Sequence, residues 1–140
     1  MRKLGWIYII FYCIDALFSL VASFEPSVEL MSNFWSMGML SFGIFILIFI
    51  CMGSLRPVKV FVPMLSFNAL ALVFGFALTI PLLLRYGPQM SQLDMNIAFF
   101  REEFGWYWAV HWFFMTLWLA VCAFAVVTYS RFMVSKHKQN

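Results

Sequence analysis

Asp15, Ser41, Asn68 and His111 stand inside long stretches that are otherwise almost wholly apolar. An acid and an imidazole in such surroundings can hand a proton between them or hold an ion, and ionisable residues within apolar spans mark functional sites by default. The same residues also suit a plainer role, a buried hydrogen-bond cluster that fixes how helices register against one another or against a partner. Asp15 carries the most information. An ionised aspartate near the middle of a bilayer costs roughly 2.5–3.5 kcal/mol on the insertion scale, so it must be protonated, paired or reached by water. On a helix it shares a face with Tyr8, Tyr12 and Ser19, while Asn68 shares one with Ala71, Gly75 and Thr79. That second set is a small-residue stripe of the kind that lets helices approach closely.

Something must carry these side chains into an apolar setting, and the composition says what. Of the 140 residues, 64% are hydrophobic and 11% charged. Soluble domains run nearer 45–50% and about 25%. Too few polar residues remain to cover a water-facing surface, which excludes a soluble globular domain. Disorder needs low hydrophobicity and high charge, and is excluded too. Crossing a hydrocarbon core takes about 20 mostly apolar residues. Four stretches meet that length, at about 4–24, 34–55, 60–84 and 104–129. With these bounds Asp15 is the sole acid within a span. No ten-residue alternation of the β-barrel kind is present. The expected fold is an all-α integral membrane protein, a single four-helix transmembrane bundle. The first stretch is read as a retained span, because its apolar run exceeds that of a signal peptide and holds Asp15. Depth along the helices, at 1.5 Å per residue, brings Asp15, Asn68, His111 and Ser41 toward one central slab.

Lysines and arginines in short loops set direction. One side would hold Arg2, Lys3, Arg56, Lys59, Arg131, Lys136 and Lys138, and the other only Arg85 and Arg101. Both termini are therefore expected in the cytoplasm, or the matrix or stroma of an organelle. Trp6, Tyr8 and Tyr129 would lie near the inner face, and Trp35, Tyr86, Trp106, Tyr107 and Trp108 near the outer one, as aromatic belts do. Arg56-Pro57-Val58-Lys59 is a very short turn, so the second and third spans should be antiparallel neighbours. Pro81 predicts a kink in the third span.

Residues 85–103 form the one long loop. Gly87-Pro88 marks a turn. Ser91-Gln92-Leu93-Asp94 resembles a helix N-cap. Leu93, Ile97, Phe100 and Phe104 then repeat at helical spacing, which predicts a short amphipathic helix on the outer membrane surface before the fourth span. Simple interfacial packing and a docking surface for a partner protein are the two roles open to it.

Most familiar chemistry has no motif here. The chain lacks a nucleotide-binding glycine loop, an H-E-x-x-H pair and a nucleophile elbow. A Ser41–His111 dyad lacks the G-x-S arrangement of a serine nucleophile. Haem would need a second axial histidine, and His137 lies in the basic tail. No cofactor or metal is expected. Nucleic acid is not an expected partner either, because the tail charges suit anionic lipid headgroups. Cys13, Cys51 and Cys122 stand far apart in apolar runs, and their odd number argues against a disulfide framework. They read as small apolar residues.

Four spans with one acid midway along the first resemble the layout of the small multidrug-resistance transporters. That resemblance implies a dimer in which Asp15 carries both proton and cation. The chain departs from the family in using Asp for Glu, in its long third loop and in its strong charge bias. The terminal Lys136-His137-Lys138-Gln139-Asn140 is similar to the K-x-K-x-x retrieval signal of endoplasmic-reticulum membrane proteins. With almost no soluble part to house chemistry, the expected role is a non-enzymatic accessory or assembly subunit of a larger membrane complex. Its partners would be the lipid bilayer and either other membrane subunits or a second copy. The alternative is a small proton- or ion-coupled transporter using Asp15 with His111. A bacterial inner membrane or a eukaryotic organelle membrane would suit either.

Overall fold

A computed structural model describes residues 2–137, the side chains of Arg2, Pro26 and His137 excepted. Lys138, counted above among the basic residues, and with it Gln139 and Asn140 of the terminal motif, lie outside the described residues. Every regular element among the described residues is helical: α1 (Arg2–Ala22), α2 (Pro26–Cys51), α3 (Val58–Tyr86), a 3-10 turn (Gly87–Gln92), α4 (Ile97–Glu103) and α5 (Tyr107–His137). α1, α2, α3 and α5 are each long and apolar enough to cross a membrane.

Local chemistry fixes where these helices begin and end. α2 starts on Pro26, whose ring suits a first helical position, and carries Glu29 in its first turn, where a carboxylate opposes the helix dipole. It therefore begins eight residues before the expected Phe34. The early turns are helical but not apolar all round, so hydropathy alone cuts them off. At its far end Gly53 takes φ +67°, and the amides of Gly53 and Ser54 bond back to Ile50 and Phe49. This glycine-ended motif closes the helix and turns the chain sharply toward α3. Pro57 caps α3, and the Arg56–Pro57 bond is cis. α3 runs as one helix through both Pro63 and Pro81. It stops at Gly87, φ +52°. α5 begins at Tyr107, three residues after the expected Phe104, and continues eight residues past the expected Tyr129.

The four long helices form a closed circuit. α1 packs on α2 and α5, and α3 packs on α5 and more loosely on α2. α1 and α3 thus face one another across the centre, where Asn68 Nδ2 donates to Tyr8 Oη at 3.4 Å. Trp6 of α1 meets Tyr129 of α5 edge-on at 5.2 Å, so the start of α1 and the end of α5 belong to the same end of the bundle. Gly5 permits this approach: a Cβ there would collide with the ring and hydroxyl of Tyr129.

The bundle is packed unevenly along its length. Toward the termini the core is dense, with Tyr8, Ile9, Tyr12, Ile46, Phe61, Met64 and Tyr129 fully buried. α2 and α3 meet in this half, where a Cβ on Gly43 would sit 3.5 Å from both Leu65 and Asn68. Beyond that crossing a cavity separates them. The stripe of α3 meets other helices at one end only: Asn68 and Ala71 touch the core and line the cavity, and Gly75 has no neighbour within 4 Å of its Cβ position.

Candidate functional site

The cavity occupies the half of the bundle away from the termini and measures about 460 Å³. That volume falls in the range of small-molecule sites. α1 and α2 supply its polar wall. Asp15 and Ser19 come from α1, one turn apart. Glu29, Ser32, Asn33 and Ser36 come from α2, at spacings of three, one and three residues that define one helical face. α3 and α5 supply a largely aromatic wall, including Phe67, Phe74, Phe114 and Trp118. Phe74 stacks on Phe114 at 4.8 Å, and Phe67 lies 5.2 Å from Trp118. Among the described residues no lysine or arginine lines the cavity.

Asp15 sits at the deep end. It is 4% exposed, and its Oδ1 accepts a hydrogen bond of 2.7 Å from Ser36 Oγ. Polar contacts then repeat along α1 toward the far end. Ser19 and Ser32 share a hydrogen bond of 3.1 Å, and Ser32 is itself 4% exposed. Ser23 Oγ donates to the Ser19 carbonyl at 2.8 Å and lies 2.7 Å from His111 Nε2. Asp15, Ser19 and Ser23 follow at four-residue intervals, so each step is about 6 Å. This row of hydroxyls links the levels of Asp15 and His111.

Glu29 marks the opposite end of the polar wall. Its Oε1 accepts the backbone N–H of Ile97 at 2.7 Å, which ties the first turn of α2 to the start of α4. Asn96 caps α4 through Oδ1, accepting from Phe99 N at 2.9 Å. The sequence pattern points instead to Ser91–Asp94 as this cap, but Ser91 belongs to the 3-10 turn. Glu103, at the other end of α4, accepts from Arg85 at 2.7 Å and from Tyr86 Oη, both at the end of α3. α4 is thereby fastened to α2 and to α3. Its apolar residues Ile97 and Phe100 face the cavity, so this segment roofs it rather than packing on lipid alone.

Of the four residues singled out by sequence, three line the cavity: Asp15, Asn68 and His111. They are not in direct contact. Asn68 bonds to Tyr8, His111 to Ser23, and Asp15 to Ser36. Ser41 does not join them. Its hydroxyl donates to the Met37 carbonyl of its own helix at 3.2 Å and is exposed. Ser32, Ser36 and Glu29 also line the cavity and escape the sequence reading, while Ser19 lies on the face it gave Asp15. The 29–32–33–36 spacing on α2 is the available signal, obscured by placing the start of that span at Phe34.

Proton exchange and cation binding are the chemistries this arrangement can perform. Among the described residues no three His, Cys, Asp or Glu side chains converge as a metal centre requires. Comparison of the chain with protein-family models, with curated proteins and with solved structures finds no match.

Proposed function

We propose that this chain crosses a membrane four times with both termini on the cytoplasmic side, and that it works as a small proton- or ion-coupled transporter. The carrying observation is Asp15: an acid 4% exposed that lines a cavity with no lysine or arginine among the described residues. A carboxyl group so placed can exchange a proton or a cation with what arrives. The charge bias of the loops puts the cavity end, with α4, at the outer membrane surface. His111, Ser23 in the turn after α1 and Ser19 of α1 then form the route by which protons reach Asp15 from outside.

The test is infrared difference spectroscopy of the protein in liposomes between acid and neutral pH. A carboxylic C=O band that disappears in Asp15→Asn is expected. Absence of any titrating band that Asp15→Asn removes would overturn the reading.

A second reading, an accessory or assembly subunit, draws on a different face. Phe11, Phe34, Trp35, Gly38 and Phe42 line an apolar groove of about 300 Å³ on the α1–α2 flank. The Trp35 Nε1 atom is buried without a hydrogen-bond partner among the described residues. A helix from another subunit or a second copy could seat there. Purification in mild detergent separates the readings, since an assembly subunit travels with a larger complex.

A further inference from the structure

The two carboxylates of the cavity stand at opposite ends of one polar wall. Ser36, bonded to Asp15, and Glu29 are seven residues apart on α2. Two helical turns make that separation about 10 Å along the axis. Each carboxylate accepts one hydrogen bond from the described residues, Asp15 from Ser36 and Glu29 from the Ile97 amide. Each keeps one oxygen without a donor among them. Between the two lie Ser32 and Asn33, which can accept or donate hydrogen bonds but bring no charge. The facing wall carries Phe74, Phe114 and Trp118, whose ring faces attract cations and cover alkyl chains.

We propose that the ligand of this cavity is a linear polyamine or α,ω-diamine, bound lengthwise with one ammonium on Asp15 and the other on Glu29. The inference rests on the transporter reading and gives it a substrate class. Two negative ends in a space that no lysine or arginine among the described residues lines call for two positive charges on the occupant. A metal ion or a compact monovalent cation meets one carboxylate and leaves the other unmatched. A chain with an ammonium at each end meets both, and its methylenes lie against the aromatic wall.

The experiment is calorimetric titration of the purified full chain in mild detergent with spermidine, with diaminoalkanes of increasing length, and with pentylamine. The expected result is tenfold or greater preference for spermidine over pentylamine, and a diamine series with an optimum at chains that span about 10 Å. Glu29→Gln and Asp15→Asn, which keep the acceptors for Ile97 and Ser36, should each bring spermidine down to the affinity of pentylamine. A flat length series on the wild-type chain overturns the proposal without recourse to any variant. So does equal binding of mono- and diamines. If either occurs while the Asp15 infrared band persists, the substrate class falls and the proton-exchange reading survives. If the band is missing as well, both fall.

Discussion

The Ser23 hydroxyl and the Nε2 atom of His111 lie 2.7 Å apart, joining the turn after α1 to the first turns of α5. The pair closes the row of hydroxyls that starts at Asp15. It also accounts for a histidine on an aromatic helix end, beside Tyr107 and Trp108, without an acid to hold it.

A double-mutant cycle on Ser23→Ala and His111→Gln should therefore show coupling. Hydrogen bonds between membrane helices average about 0.6 kcal/mol and reach roughly 1.7 kcal/mol. Coupling within that range is expected by reversible unfolding in mixed micelles. Ser41→Ala, whose hydroxyl bonds only within its own helix, should give coupling with His111→Gln near zero.

Glycines on the two diagonal helices should respond in opposite ways. Gly5→Ala forces a methyl into Tyr129, which is fully buried, and should destabilise the bundle by about 1–3 kcal/mol. Gly75→Ala meets nothing within 4 Å and should be neutral or stabilising by up to about 1 kcal/mol, the gain in helix propensity. Unfolding curves of the two variants side by side decide this.

Cys13 of α1 and Cys122 of α5, far apart in the sequence, are neighbours where the two helices pack. Mild oxidation with copper phenanthroline should join them within one chain, visible as faster migration on a non-reducing gel. Cys51→Ser should leave the product unchanged, and Cys13→Ser should abolish it. Failure of the wild-type chain to cross-link would place α1 and α5 differently.

Cys51 is exposed at the end of α2, on the terminal side of the bundle. A membrane-impermeant maleimide should label it in inside-out vesicles and spare it in right-side-out ones. The reverse pattern would invert the proposed orientation.

The number of long helices was legible in the sequence because lipid imposes one demand, about 20 apolar residues per crossing, on every span. Asp15, Asn68 and His111 were legible for the same reason: a polar side chain in such a run costs free energy unless it is paired or wetted, so it stands out from its neighbours. The polar face of α2 was not. Leu30, Met31, Phe34 and Met37 interleave with Glu29, Ser32, Asn33 and Ser36, so an average over the segment hides a stripe that only a fixed helical phase reveals. Ser41 points elsewhere for a related reason: depth along a helix places a residue at a level but leaves its direction around the axis free. The cap of α4 moved from Ser91 to Asn96 because the turn at Gly87–Pro88 continues as a 3-10 helix and uses up the intervening residues.

The separation of α2 from α3 beyond Gly43 has a consequence for the surroundings of the site. Leu40 and Leu72, 37% and 44% exposed, stand on either side of it. In a bilayer, acyl chains of a single leaflet would fill that breach and complete the wall opposite α1. Tail length and saturation in that leaflet then become part of the cavity wall, and a chain studied in short-tailed detergent has a different fourth side from the one a bilayer would give it.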